Sequence, residues 1–175
     1  MSEEIKNRVT ESGLITLDLE QFFPETDILS FDIRPFLFMD QILRERDFRD
    51  RLAVHDWSAY RGKHVAVHCS VEAIIPAWAY MTIAVHLSEY AASIYQGNPS
   101  EMLKSLIIAS IRSIDTASFH QKRVLVKGCG EKGIDAYAYL EVTTHLLPVV
   151  KSIMYGEACS AVPVYKRRLT EGSSV

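Results

Sequence analysis

Three cysteines, Cys69, Cys129 and Cys159, are the residues of this chain best suited to chemistry, because a thiolate is both a nucleophile and a soft metal ligand. Cys129 stands in "VLVKGCGEKGIDAYAYLEV", Val124 to Val142, where an apolar strand pattern runs through a glycine-rich turn into an apolar helix. Gly128, Gly130 and Gly133 fit G-x-G-x-x-G, the spacing of a loop that cradles a dinucleotide pyrophosphate, and Glu157 follows the next strand where a ribose-binding acid would stand. Glu157, however, lies 24 residues beyond Gly133. Such a fingerprint also normally opens the first βα unit, so a tight turn needing positive φ is the plainer reading of these glycines. The cysteine spacings match neither a C-x-x-C ribbon nor a ferredoxin run. The chain contains no Ser-His-Asp order, H-E-x-x-H, P-loop or recognisable carboxylate pair.

What must position the thiols is visible in a repeat. Sliding the sequence by 59 residues lays Lys63–Gly97 on Lys122–Gly156 without a gap, matching Lys63, Val65, Val67, Ala77, Ala79, Tyr80, His86, Leu87, Ser93, Ile94 and Gly97. Asp56 falls on Asp115 in the same frame. Each copy reads as a β-branched strand ("KHVAVHC", "KRVLVKGC"), an apolar helix, and a second strand ended by glycine ("ASIYQG", "KSIMYG"), the span of a parallel βαβ crossover. A helix over Ser100–Ile114 precedes the second copy, and "RPFLFMDQILRERDFRDRL" is its counterpart before the first. Pro76 sits near the start of one repeat helix, and Asp135 is placed to N-cap the other. "LITLDLEQF" and "ILSFDI" offer further edge strands. The expected fold is α/β: one mostly parallel sheet built from two α-β-α-β units, with helices on both faces. It forms a single domain over residues 1–175, with strands and a helix in 1–60 and the repeats at 63–97 and 122–156.

In parallel sheets ligands bind beyond the carboxyl ends of the strands. Cys69, Cys129 and Cys159 each follow a predicted strand, so a single sheet would gather them on one edge. That arrangement suits zinc or an iron–sulfur cluster, with His68 as a fourth ligand or a hydrogen-bond donor to the others. His86 and His145, near helix C-termini, read as structural groups that cap carbonyls. Asp32, Asp56 and Asp115 read as caps.

Composition narrows the setting. A length of 175 residues with 48% hydrophobic content supports one sizeable core, and a net charge of -3 without long charge runs points to neither nucleic acid nor an anionic membrane as partner. The polar start "MSEEIKNRVTESG" is unlike a signal or transit peptide, and no apolar run reaches bilayer length, so a cytoplasmic protein with reduced thiols is expected. The apolar stretches "RPFLFMDQIL" and "PVYKRRL" suggest a homodimer.

Taken together, "SGLITLDLEQFFP", "FDIRPFLFMDQILRERDFR", "HDWSAYRGKHVAVHCSVEAIIPAWAYM", "KRVLVKGCGEKG" and "SIMYGEACSAVPVYKRR" resemble the bacterial family designated domain of unknown function DUF 2480, from about Ile5 to Arg168. The resemblance implies no established activity. It implies an association with iron–sulfur assembly genes, which favours iron or a cluster over zinc and makes iron–sulfur assembly proteins the expected partners. The leading expectation is a thiolate metal-binding protein linked to iron–sulfur cluster assembly or carrying a cluster. The alternatives are a nucleotide- or thiol-chemistry enzyme using Cys129 on the Gly128–Gly133 turn, and an interaction module whose cysteines only pack.

Overall fold

The computed structural model describes residues 13–128, 132–157 and 159–168. In chain order the regular elements are β1 (Leu14–Asp18), β2 (Ile28–Asp32), α1 (Glu45–Ala53), β3 (His64–His68), α2 (Ala77–Leu87), β4 (Ser93–Gln96), α3 (Pro99–Arg112), β5 (Arg123–Lys127), α4 (Ala136–Leu146), β6 (Ser152–Tyr155) and β7 (Val162–Lys166). Short 3-10 turns at Leu19–Phe22, Arg34–Phe36, Trp57–Tyr60 and Thr116–Phe119 join them. The chain divides into two compact units, one of Pro24–Leu106 and one of Met1–Phe23 with Ile107–Val175. They are called here the middle and the terminal unit.

The fold is α/β and mostly parallel, but the expected single sheet is two sheets. Strands β2-β3-β4 form one and β1-β5-β6-β7 the other. All pairings are parallel except β6 with β7. The cause lies in two look-alike strands. "LITLD" and "ILSFD" share the order apolar, apolar, hydroxyl, apolar, Asp, and each is the parallel edge of a different sheet, β1 on β5 (Leu14↔Arg123) and β2 on β3 (Ile28↔His64).

Within each unit the elements recur at the 59-residue offset: β3 with β5, α2 with α4, and β4 with β6. Connecting bonds recur too. Ala92 N donates to Lys63 O and Lys151 N to Lys122 O, both at 2.8 Å; Gly97 N donates to Val67 O at 2.9 Å and Gly156 N to Val126 O at 3.1 Å. Asp56 and Asp115 cap their 3-10 turns as expected, accepting from Ser58 N and Ala117 N at 3.0 Å. Asp135 stands at the N-cap position of α4 but makes no side-chain cap bond.

In the middle unit Phe48 and Leu52 of α1 and Ala79, Ile83 and Leu87 of α2 share one core with Val65 and Val67. Those two valines point to the same face of β3, since side chains alternate along a strand. Right-handed crossovers between strands in consecutive order place α1 and α2 on that one side, while Ala66, which points to the other face of β3, is buried as well. In the terminal unit Leu17, Ile107, Ile111, Phe119, Val124, Val126, Val142, Leu146 and Ile153 are buried.

The long helix expected from "RPFLFMDQILRERDFRDRL" is also revised. After the turn at Arg34–Phe36, Met39 (φ 52°) and Asp40 (φ 57°) take left-handed conformations. Phe38 and Ile42 close this reversal by exchanging backbone bonds of 2.7 and 3.1 Å, and Arg34 pairs with Asp40 at 2.9 Å. Two consecutive left-handed residues cannot continue a right-handed helix, so α1 begins only at Glu45.

Candidate functional site

The carboxyl edge of β2-β3-β4 is tied by one carboxylate. Asp32, last in β2, accepts from Arg34 N and Ser70 N at 3.0 Å through Oδ1 and from Ser70 Oγ at 2.6 Å through Oδ2. These bonds fold the loop after β3 back onto β2. Burial acts to raise the Asp32 pKa, but the bonds from Ser70 and Arg34, with His68 nearby, hold it below the ordinary value. His68 Nε2 and Ser30 Oγ share a 2.6 Å hydrogen bond, while half-buried Cys69 packs against the core cluster.

Cys69 opens into a cleft of about 580 Å³ whose polar wall comes from His68, Glu72, Gln96, Asn98 and Glu101. The wall is built by a capping box at the start of α3: Asn98 N donates to Glu101 Oε2 and Glu101 N donates to Asn98 Oδ1, both at 2.9 Å. Gly97 enters this turn at φ +143°, where a Cβ would lie 2.5 Å from Glu101 Oε2 and 2.7 Å from Tyr95 Cε1.

At the corresponding edge of the terminal unit Asp18 pairs with Lys127 at 3.0 Å. The pair, with Glu157 and Glu20 nearby, raises the Lys127 pKa. At the 59-residue offset Gly128 falls on Cys69 of the middle unit. It does not have positive φ; a Cβ there would meet Tyr139 Oη at 2.6 Å, so its requirement is close approach of the tyrosine. Tyr139 in turn packs edge-on against Tyr155, ring centroids 5.4 Å apart. Gly133 has open space around it and no positive φ, and Gly130 lies outside the described residues. Lys132 N donates to Glu20 Oε1 at 3.3 Å, so one N–H of this turn already faces a carboxylate. A pyrophosphate would have to displace it. Glu157 is exposed just beyond Gly156.

The three cysteines are not gathered by a single sheet. Cys69 follows β3 in the middle unit, exposed Cys159 follows β6 in the terminal unit, and Cys129 lies outside the described residues. Among the described residues no group of three or more His, Cys, Asp or Glu side chains could hold a metal ion. Neither repeat histidine caps its own helix. The His86 ring stacks on Trp57 with centroids 4.9 Å apart, and His145 Nε2 lies 3.3 Å from Ile114 O.

Sequence reasoning passed over His55. Its Nε2 is buried without a hydrogen-bond partner, and its ring sits among Trp57 (4.7 Å), Phe31 (5.5 Å) and Phe36 (6.0 Å). Burial lowers its pKa, against the pull of Asp56 and with the push of His86. The unfolded chain therefore takes up the proton first as pH falls below about 6.5, and stability contributed by the neutral ring is lost below that pH. Urea denaturation of wild type and His55→Phe at pH 8, 7, 6 and 5 is expected to show a fall for wild type and a flatter profile for the variant. Equal pH dependence in the two would remove His55 as the cause.

A two-unit α/β protein with parallel strands and a thiol-bearing cleft at one carboxyl edge is the class that fold and site define. The chain matches the family described as "Protein of unknown function (DUF2480)" over residues 3–167, and it belongs to that family. No curated protein and no solved structure matches it.

Proposed function

We propose that the chain is a duplicated α/β protein that acts through Cys69, in the carboxyl-edge cleft of the middle unit, on a small ligand that coordinates or reacts with a thiol. Duplication is supported by the elements and bonds that recur at offset 59. The observation that carries the site is its asymmetry. The middle unit has a thiol in a cleft of about 580 Å³, whereas the terminal unit has Gly128 with Tyr139 Oη close against it. After duplication one copy can keep the working site while the other fills it.

Mass-spectrometric mapping of iodoacetamide on the folded protein tests this. Cys69 is expected to be alkylated in the native state, and Cys69→Ser to fold with stability changed by less than about 1 kcal/mol. A Cys69 that reacts only after unfolding would make it a packing residue.

The thiolate metal reading stays as a second proposal, because Cys69 and exposed Cys159 both follow parallel strands as a thiol ligand set would require. Its metal would be an iron–sulfur cluster or zinc bound by Cys69, Cys129 and Cys159, with iron–sulfur assembly proteins as partners. Metal content and absorption spectrum after anaerobic preparation decide it: less than one metal per chain, or content unaffected by Cys129→Ser, would end it. A cytoplasmic homodimer belongs to the same reading. No helix among the described residues is long and apolar enough to cross a membrane, and exposed Val162 and Val164 on β7 offer apolar surface.

A further inference from the structure

We propose that a cleft at the amino ends of β5 and β6, independent of Cys69, binds the phosphoryl group of a small phosphate ester. Strand β7 creates it. Because β7 runs antiparallel to β6, its carboxyl end returns to where β5 and β6 begin, and the register sets Arg123 beside Ser152 and Ser152 beside Lys166. With strands about 4.8 Å apart, Arg123 and Lys166 flank Ser152 with backbones roughly 10 Å from each other. Lys151 adds a third cation, and Tyr165, Met154 and Pro163 complete a cleft of about 370 Å³.

Among the described residues none of Arg123, Lys151 and Lys166 has a carboxylate partner. Three unpaired cations around one cleft repel each other, and a dianion between them reverses the sign of that interaction. Ser152 sits at the centre with its hydroxyl unbonded to any described residue, whereas its counterpart Ser93 shares a 2.8 Å hydrogen bond with His64 Nδ1. At offset 59, Arg123 and Lys151 correspond to His64 and Ala92, and the three-stranded sheet has no strand like β7. The basic cluster is therefore particular to the terminal unit.

Size selects the ligand. A cleft of about 370 Å³ on a chain of net charge -3 has the scale of a small anion, not of the long basic stripe that a nucleic acid or membrane surface requires. Tyr165, Met154 and Pro163 give an apolar wall for the body of an ester.

Isothermal titration calorimetry with phenyl phosphate, inorganic phosphate and benzyl alcohol tests the assignment. Phenyl phosphate is expected to bind saturably and more tightly than inorganic phosphate, and benzyl alcohol not to bind. Arg123→Glu and Lys151→Glu should each weaken phenyl phosphate about tenfold or more, and Ser152→Ala a few-fold. Arg123 and Lys151 are exposed and Ser152→Ala removes only a hydroxyl from a half-buried side chain, so circular dichroism and urea midpoints should be retained; Arg123→Gln and Lys151→Gln, with smaller losses, serve if a charge reversal fails to fold. Cys69→Ser should bind as wild type does. Absence of saturable binding, or binding indifferent to Arg123 and Lys151, overturns the proposal. So does tighter capture by phosphatidylserine vesicles or duplex DNA through the same residues, which would make the patch a macromolecular surface.

Discussion

Replacing Trp57 by alanine is expected to destabilise the middle unit by about 3–5 kcal/mol, the range for truncating a large buried aromatic. The indole is 7% exposed, stacked on Phe31 at 5.3 Å and on the His86 ring at 4.9 Å. Its Nε1 donates to Leu52 O at 3.0 Å, a carbonyl in the last turn of α1 that also accepts from His55 N at 3.3 Å. Truncation therefore removes packing and the shorter of that carbonyl's two hydrogen bonds. Trp57→Phe keeps most of the stack but not the donor, and should lose less. Urea unfolding followed by far-ultraviolet circular dichroism reads the difference. A loss below 1 kcal/mol for Trp57→Ala would mean that the stack is not part of the core. The alanine variant also uncovers His55, so its stability difference between pH 8 and pH 5.5 should shrink.

Gly97→Ala is expected to cost about 2–4 kcal/mol, combining an ordinary residue forced to strongly positive φ with damage to a helix cap. At φ +143° the backbone is one that side chains rarely adopt, and the new Cβ would lie 2.5 Å from Glu101 Oε2. Glu101 can move only by releasing Asn98 N, the bond that closes the start of α3. Gly156→Ala is the control. Gly156 has φ +106° but nothing nearer a Cβ than Ser160 O at 3.5 Å, so it carries the strain without the clash. It should cost less, about 1–3 kcal/mol. Equal losses in the two variants would show that Glu101 and Tyr95 yield freely. Gly97 also lines the Cys69 cleft, so the alanine variant should change the rate at which Cys69 is alkylated even where the protein remains folded.

Local pattern was enough for the repeated strands and helices. "KHVAVHC" and "KRVLVKGC" could be read as strands and "AWAYMTIAVHL" and "AYAYLEVTTHL" as helices because short-range periodicity and glycine punctuation act within a few residues. The same holds for the Asp56 and Asp115 caps, whose acceptors reach only two residues ahead. The reversal at Met39 and Asp40 was not legible, since methionine rarely takes a left-handed conformation, the preference of a single aspartate for it is too weak to mark a turn, and apolar spacing continued straight through it.

By itself, then, the sequence determined an α/β chain with parallel crossovers at offset 59 and a thiol after β3. Tertiary structure alone decided which sheet each edge strand joined, because β1 and β2 carry the same pattern and parallel pairing joins distant segments. With two sheets, strand-end position no longer brings Cys69 and Cys159 to a shared edge. Gly128 is explained by a tyrosine hydroxyl from α4 rather than by its neighbours in the glycine pattern. His55 loses its hydrogen-bond partner because Phe31, Phe36 and Trp57, from three separate segments, close around it. The basic cleft exists because an antiparallel β7 carries Lys166 back beside Ser152. Each of these depends on contacts between residues far apart in the chain, which no local pattern encodes.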